Sequence, residues 1–145
     1  MKISMKQAHH GDIEFLQNLR SITMNEYLKK LGLPCDDNTN LKEIKHHFHS
    51  ANILYIYDKP IGLFKYYQDD KSIHILQMQI LPEYQGKKIE ESLLKELQDE
   101  IKLSSKNIDA SVLKSNPVKD LYEELGFSVV SQNDREFIMS YNRGS

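Results

Sequence analysis

Apolar positions in the first half of the chain change from strand spacing to helical spacing. Ile3 and Met5 alternate with polar residues, as in a half-buried strand, whereas the apolar residues after Asp12 recur every three or four positions until Gly32 and Pro34 interrupt them. The elements predicted from this pattern are a strand over residues 2–7, one long or two broken helices over residues 12–31, a polar turn over residues 35–40, and a short helix over residues 41–48.

The second half begins as a meander of strands and then alternates between helices and strands. The predicted elements are strands over residues 53–57, 61–67 and 73–81, a helix whose apolar face runs from Ile89 to Ile101, a strand over 108–113, a helix over 118–125, and strands over 127–130 and 136–141. The order β-αα-βββ-α-β-α-ββ predicts an α+β (mixed α/β) fold. Its central mixed sheet would be mostly antiparallel, with one parallel pair, and flanked by helices.

Composition narrows the classes of protein that this chain can represent. With 145 residues and a formal net charge of −2, it has the size of one domain and no basic field for nucleic acid. No apolar run approaches the roughly 20 residues that cross a bilayer, residues 1–10 lack the apolar stretch of a signal peptide, and Cys35 has no partner for a disulfide. We therefore expect a cytoplasmic protein with one domain over residues 1–142, and residues 143–145 are interpreted as a tag remnant.

The segment from Ile80 to Ile89 contains the first chemical signal. A strand ends in a short loop that opens directly into an amphipathic helix. The free N–H groups and positive dipole end of such a helix favour an anion such as a pyrophosphate. A plain strand-to-helix turn is the alternative interpretation.

A second segment, residues 115–127, contains a polar residue before a proline-started helix, a tyrosine inside the helix and a glycine that ends it. Together, the sequences Pro-Glu-Tyr-Gln-Gly at 82–86 and Leu-Tyr-Glu-Glu-Leu-Gly-Phe at 121–127 resemble the two motifs of the GNAT superfamily of N-acetyltransferases, in the same order and at the same spacing. The resemblance is specific in these motifs and only topological in the first fifty residues.

The resemblance implies an acetyl-CoA-dependent enzyme that transfers an acetyl group to a primary amine of a small molecule or protein by direct attack. Tyr122 matches the tyrosine that protonates the departing CoA thiolate, although a core-edge aromatic residue is the alternative. The residues implied in acetyl-CoA binding are the strand end Met78, Gln79, Ile80 and Leu81, the loop and helix start Gln85, Gly86, Lys87, Lys88, Ile89, Glu90 and Glu91, and Asn116.

Two positions depart from the family pattern. Lys88 and Glu90 stand where the family loop has small residues, which let phosphate oxygens approach the backbone closely. Glu90 also adds a carboxylate where the helix dipole attracts anions. A GNAT-fold protein with weakened or lost catalysis, acting as a binding or regulatory module, is therefore the alternative function, and transfer from another acyl-CoA is a third.

Several further roles stay open at this point. The strand over residues 73–81 offers His74 but no carboxylate as a general base, and we predict no metal because His46, His47 and His49 have no suitably placed further ligand. The candidate substrate residues are Tyr27, Asp36 and Asp37, with solvent-facing turn residues as the alternative for the two aspartates. The expected partners are acetyl-CoA and an amine acceptor, without nucleic acid or membrane, and a homodimer is an open alternative.

Overall fold

The computed structural model describes residues 2–142, which form seven β-strands and four α-helices. The elements are β1 (Ile3–Gln7), α1 (Ile13–Lys30), α2 (Asp37–Lys45), β2 (Ala51–Ile56), β3 (Lys59–Gln68), β4 (Ser72–Ile80), α3 (Ile89–Glu100), β5 (Asn107–Leu113), α4 (Val118–Glu124), β6 (Ser128–Gln132) and β7 (Glu136–Asn142). The predicted α+β class and order of elements are confirmed. Residues 143–145, interpreted as a tag remnant, lie outside the described residues.

The strands form one mixed sheet in the order β1-β2-β3-β4-β5-β7-β6. The pairs β1–β2, β2–β3, β5–β7 and β6–β7 are antiparallel, whereas β4 and β5 are parallel and pair Ser72–Ile75 with Asn107–Ala110. A parallel pair needs a crossover connection, and α3 supplies it. The mostly antiparallel sheet with one parallel pair is therefore as predicted.

The chain divides into two compact units, and the prediction of one domain over residues 1–142 stays a prediction. The first unit contains Met1–Lys65 and Gln77–Lys87, and the second contains Tyr66–Leu76 and Lys88–Ser145. No helix within residues 2–142 is long and apolar enough to cross a membrane.

The core of the first unit lies between the helices α1 and α2 and the strands. Its buried residues are Ala8, Leu16, Leu19, Ile44, Ala51, Ile53 and Leu63, and Leu81 packs against them. The helical pattern after Asp12 forms one continuous helix, α1, rather than two broken ones. Burying one side of α1 against the strands removes apolar surface from water, which is the main stabilising contribution to such a helix.

The predicted bounds of the second helix are wrong. Asp36 begins α2 by accepting hydrogen bonds from the Thr39 backbone N–H at 3.1 Å and from its hydroxyl at 2.7 Å. The helix therefore starts at Asp37, inside the predicted polar turn. It ends at Lys45 rather than at Phe48, because the backbone is extended at His46 and left-handed at His47, where φ is 51°.

A buried lysine fixes the end of α2 to the sheet. Lys65, on β3, is 1% exposed, and its Nζ donates to the carbonyl oxygens of Glu43 at 3.2 Å, Ile44 at 3.1 Å and His46 at 2.7 Å. Burial lowers the pKa of Lys65 to about 8, and the positive charge of Arg20 acts in the same direction. The last carbonyls of a helix have no partner within the helix, so Lys65 acts as the C-terminal cap of α2.

In the second unit, α3 buries the apolar face that the sequence predicts. Ile89, Leu93, Leu94, Leu97 and Ile101 are each at most 4% exposed. At the end of α4, Gln98 Nε2 of α3 donates to the Leu125 carbonyl oxygen at 2.7 Å. This bond ties the end of α4, the helix that contains Tyr122, to α3.

Candidate functional site

In the first unit, the end of β4 is fixed by its own backbone and by one loop side chain. Leu81 N–H donates to the Ile61 carbonyl oxygen at 2.9 Å, and Gln85 Nε2 donates to the Ile80 carbonyl oxygen at 2.8 Å. The Gln85 amide, predicted to hold pyrophosphate, therefore ties the loop to the preceding strand. Met78 and Leu81 are half-buried, whereas Gln79 and Ile80 are buried.

Gly62, which is not among the predicted site residues, allows β3 to approach β4 closely. A Cβ atom at this position would overlap the Gln79 carbonyl oxygen and lie 2.9 Å from Ile80 Cδ1. Any larger residue would therefore displace the strand end that is implied in cofactor binding. The signal was present in the sequence, since an isolated glycine within a strand pattern marks a close backbone approach.

The loop after β4 is exposed. A short 3₁₀ turn covers Pro82–Tyr84, and the three residues that follow it, Gln85, Gly86 and Lys87, are exposed. Gly86 adopts a φ of 78°, where an L-residue would be strained. The first unit ends at Lys87, at the predicted pyrophosphate loop.

The second unit begins with the residue that departs most from the family loop. Lys88 lies immediately before α3 with φ 63° and ψ 23°, in the left-handed region that glycine favours. Its side chain is exposed, and its carbonyl oxygen accepts the Ser92 N–H at 3.0 Å. The backbone thus keeps a conformation suited to glycine although the residue is lysine.

This conformation predicts that Lys88→Gly stabilises the protein. The left-handed region costs a non-glycine residue about 1–2 kcal/mol, and the extra chain entropy of glycine offsets about 0.5–1 kcal/mol of that gain. We expect the free energy of unfolding to rise by about 0.5–1 kcal/mol in denaturant titrations. Lys87→Gly is the matched control, because Lys87 is exposed and has no positive φ. This substitution should lower the free energy of unfolding. Equal effects of the two substitutions would contradict this account.

The first turn of α3 carries two carboxylates in different environments. Glu91 forms an ion pair with Lys95, with 3.0 Å between Oε1 and Nζ, so its charge is partly neutralised along the helix. Glu90 is half-buried and forms no ion pair within residues 2–142. The N–H groups of Ile89, Glu90 and Glu91 belong to the first helical turn, where N–H groups lack acceptors within the helix.

Asn116 and Tyr122 lie before and within α4. Asn116 Oδ1 accepts the Val118 N–H at 3.0 Å, so one end of its amide is used to begin the helix. Tyr122 is 3% exposed, and its ring packs edge-on against Phe127 with 5.0 Å between the ring centroids. Burial raises the pKa of Tyr122, so its hydroxyl carries a proton at neutral pH but is a weaker acid than the hydroxyl of a solvent-exposed tyrosine.

The weaker substrate candidates lie in the first unit. Tyr27 is half-buried on α1, and Asp36 and Asp37 are exposed at the start of α2. The Asp36 carboxylate is used as a helix cap, and its hydrogen bonds to the Thr39 hydroxyl and N–H lower its pKa. A cap accounts for Asp36 without a substrate, whereas the structure gives no such account of Asp37.

The histidines have other contacts. His74 lies between two carboxylates, 2.9 Å from Asp69 Oδ2 and 3.8 Å from Asp109 Oδ2, so both ring nitrogens face an acid. The Lys71 N–H and then His74 lower the pKa of Asp69 to about 2. The rings of His46 and His47 contact each other with 4.4 Å between centroids. Nowhere in residues 2–142 are three or more His, Cys, Asp or Glu side chains placed to hold a metal ion.

Comparison with known proteins identifies the class. Residues 36–138 match the family described as the acetyltransferase (GNAT) domain, so the chain belongs to the GNAT acetyltransferase family. No curated protein sequence matches it.

Solved structures share the fold at low identity. PaiA N-acetyltransferase from Thermoplasma acidophilum, in complex with coenzyme A, is 20% identical, with 98% of this chain and 99% of that chain covered at a TM-score of 0.71. An acetyltransferase from Thermus thermophilus is 14% identical, with 98% and 97% covered at a TM-score of 0.77. The ribosomal-protein-S18-alanine N-acetyltransferase from Escherichia coli is 18% identical, with 97% and 94% covered at a TM-score of 0.68. These likenesses establish the GNAT fold.

Proposed function

We propose that the chain is an acetyl-CoA-dependent N-acetyltransferase that acetylates a primary amine of a small molecule or protein. The observation that carries this proposal is the left-handed backbone at Lys88. In this member of the GNAT family, the residue before α3 has a conformation that glycine favours, although the residue is a lysine. The adjacent N–H groups of Ile89, Glu90 and Glu91 are suited to phosphate oxygens. The coenzyme A bound by the Thermoplasma acidophilum protein supports the same cosubstrate.

The proposed reaction proceeds by direct attack. The amine nitrogen loses a proton to solvent and forms a bond to the acetyl carbonyl carbon, the carbon–sulfur bond breaks, and the sulfur leaves as a thiolate. Tyr122 then donates its hydroxyl proton to that sulfur, the role that the family resemblance implies for it, and regains a proton from solvent. Met78–Leu81, Gln85–Glu91 and Asn116 are proposed to bind the cosubstrate, and the general base is not assigned.

Titration calorimetry with acetyl-CoA tests the proposal. We expect saturable binding with a dissociation constant between about 1 μM and 1 mM, the usual range for enzyme substrates. Thermal-shift measurements with CoA, acetyl-CoA and longer acyl-CoAs then separate acetyl transfer from transfer of another acyl group. Absence of binding to every one of these compounds would overturn the proposal.

Glu90 motivates the second candidate function, a binding or regulatory module with weakened catalysis. Its carboxylate has no ion-pair partner within residues 2–142 and lies on the helical turn that would face a phosphate. Because one charge near a helix N-terminus changes the free energy by about 0.3–1 kcal/mol, Glu90→Gln should tighten acetyl-CoA binding about two- to fivefold.

Calorimetry at fixed salt measures this effect, with Glu96→Gln as the matched control. Glu96 is exposed further along α3, so the same change of charge should leave affinity unchanged there. Weaker binding in Glu90→Gln would show that Glu90 supports the cosubstrate and would remove the reason for the second candidate.

A further inference from the structure

Two glutamines on β4 have buried amide oxygens that the fold does not use. Oε1 of Gln77 and Oε1 of Gln79 are buried, and neither has a hydrogen-bond partner among residues 2–142. The Gln79 side chain is only 3% exposed. A buried polar atom without a partner costs about 1–3 kcal/mol, so two on one strand require an explanation. The same holds for Oε1 of Gln17, whose Nε2 donates to the Asp37 carbonyl oxygen at 3.3 Å.

Alternation along β4 places both glutamines on one face of the sheet. Side chains two residues apart point the same way, so Gln77 and Gln79 share the face of Leu81, which packs against the core under α1 and α2. Leu81 N–H donates to the Ile61 carbonyl oxygen of β3. Lys65, also on β3, reaches the end of α2, since its Nζ donates to the Ile44 carbonyl oxygen.

The charges on this face are mostly positive. Lys65 is 1% and Arg20 is 7% exposed, and Arg20 Nε donates to Asn40 Oδ1 at 2.9 Å. Glu43 is the acidic group that attracts both cations, and its side chain is exposed. A ligand with a second cation would be repelled here, whereas an amide group offers both a donor and an acceptor to the glutamines.

We propose that Gln77 and Gln79 bind the acceptor, and that this acceptor carries a neutral amide group near its amine rather than a second positive charge. The inference rests on the proposed acetyl transfer and specifies its substrate class. The two amide oxygens then lack a partner in the free protein and accept hydrogen bonds from the acceptor in the complex.

The test compares Gln77→Met and Gln79→Met with the wild-type protein, and Gln132→Met on exposed β6 is the matched control. Methionine keeps the length of the side chain and removes an amide that lacks a partner. We expect the acceptor KM of both variants to rise about tenfold, corresponding to one lost hydrogen bond. The dissociation constant of acetyl-CoA should stay unchanged in Gln77→Met, because Gln77 is not among the residues proposed to bind the cosubstrate. The melting temperature should stay equal or rise, a result that a structural role for the amides would not produce.

The acceptor probes are a short peptide amide with a free N-terminus and spermidine. We expect kcat/KM for the peptide amide to exceed that for spermidine at least tenfold, and the two methionine variants to narrow this ratio. Equal or better use of spermidine overturns the inference. The inference is also overturned if the two methionine variants have unchanged acceptor kinetics and a lower melting temperature. The amides would then bind structural water rather than the acceptor. Failure of the wild-type protein to bind acetyl-CoA would instead overturn the proposed function.

Discussion

Replacing Tyr122 with phenylalanine should lower the turnover number by about 10²- to 10⁴-fold, the usual contribution of a general acid. The substitution keeps the ring that packs against Phe127 and removes only the hydroxyl. That hydroxyl makes no hydrogen bond to another group of residues 2–142, so the substitution removes no hydrogen bond from the fold. Steady-state kinetics with a saturating acceptor measures the effect, and calorimetry should show unchanged acetyl-CoA affinity.

Tyr141→Phe is the matched control for Tyr122→Phe. The Tyr141 ring also packs against Phe127, with 5.5 Å between centroids, and it lies on β7 rather than α4. This control should retain full turnover. If chemistry limits the rate and Tyr122→Phe turns over as fast as the wild-type protein, Tyr122 is a core aromatic residue and takes no part in the reaction.

The elements with regular apolar spacing were predictable because periodicity reports the face that each element buries. The apolar face of α3 and the meander of strands follow directly from such spacing. The start of α2 was missed because Asp36 and Asp37 were interpreted as turn residues, although aspartate is also one of the preferred N-cap residues. Local polarity alone does not distinguish a turn from a helix start.

The candidate site was predictable only as far as its motifs extend. The motifs select the loop after β4 and Tyr122, but they contain no information about the backbone angle at Lys88 or about the burial of Gln79. Both properties depend on tertiary structure. A lysine before a helix is usually extended or helical, and a glutamine in a strand is usually exposed.

Lys65 is the clearest case of a residue whose burial depends on tertiary structure and could not be predicted from the sequence. It also supports the second large prediction. A lysine within a strand predicts a solvent-facing position, yet Lys65 is buried because the C-terminal carbonyls of α2 require donors. Lys65→Met keeps the chain length and removes all three N–H donors. We expect the free energy of unfolding to fall by about 2–4 kcal/mol at pH 7. Each carbonyl oxygen left without a donor costs about 1–3 kcal/mol, and part of this loss is offset because the variant no longer buries a charge.

Denaturant titration of Lys65→Met and of Lys42→Met, an exposed lysine on α2, measures this difference at several pH values. Burial lowers the pKa of Lys65 from 10.5 to about 8, so between these values the folded protein binds fewer protons than the unfolded chain. Wild-type stability should therefore contain a contribution that rises with pH from about 8 to about 10.5 and is absent below about 8. Lys65→Met lacks this contribution, whereas the other lysines and the tyrosines titrate in both proteins and cancel in the difference.

The difference in free energy of unfolding between the wild-type protein and Lys65→Met should thus widen with pH across this window. A variant as stable as the wild-type protein at pH 7, or a gap that stays constant with pH, would show that the buried ammonium costs as much as its three hydrogen bonds contribute.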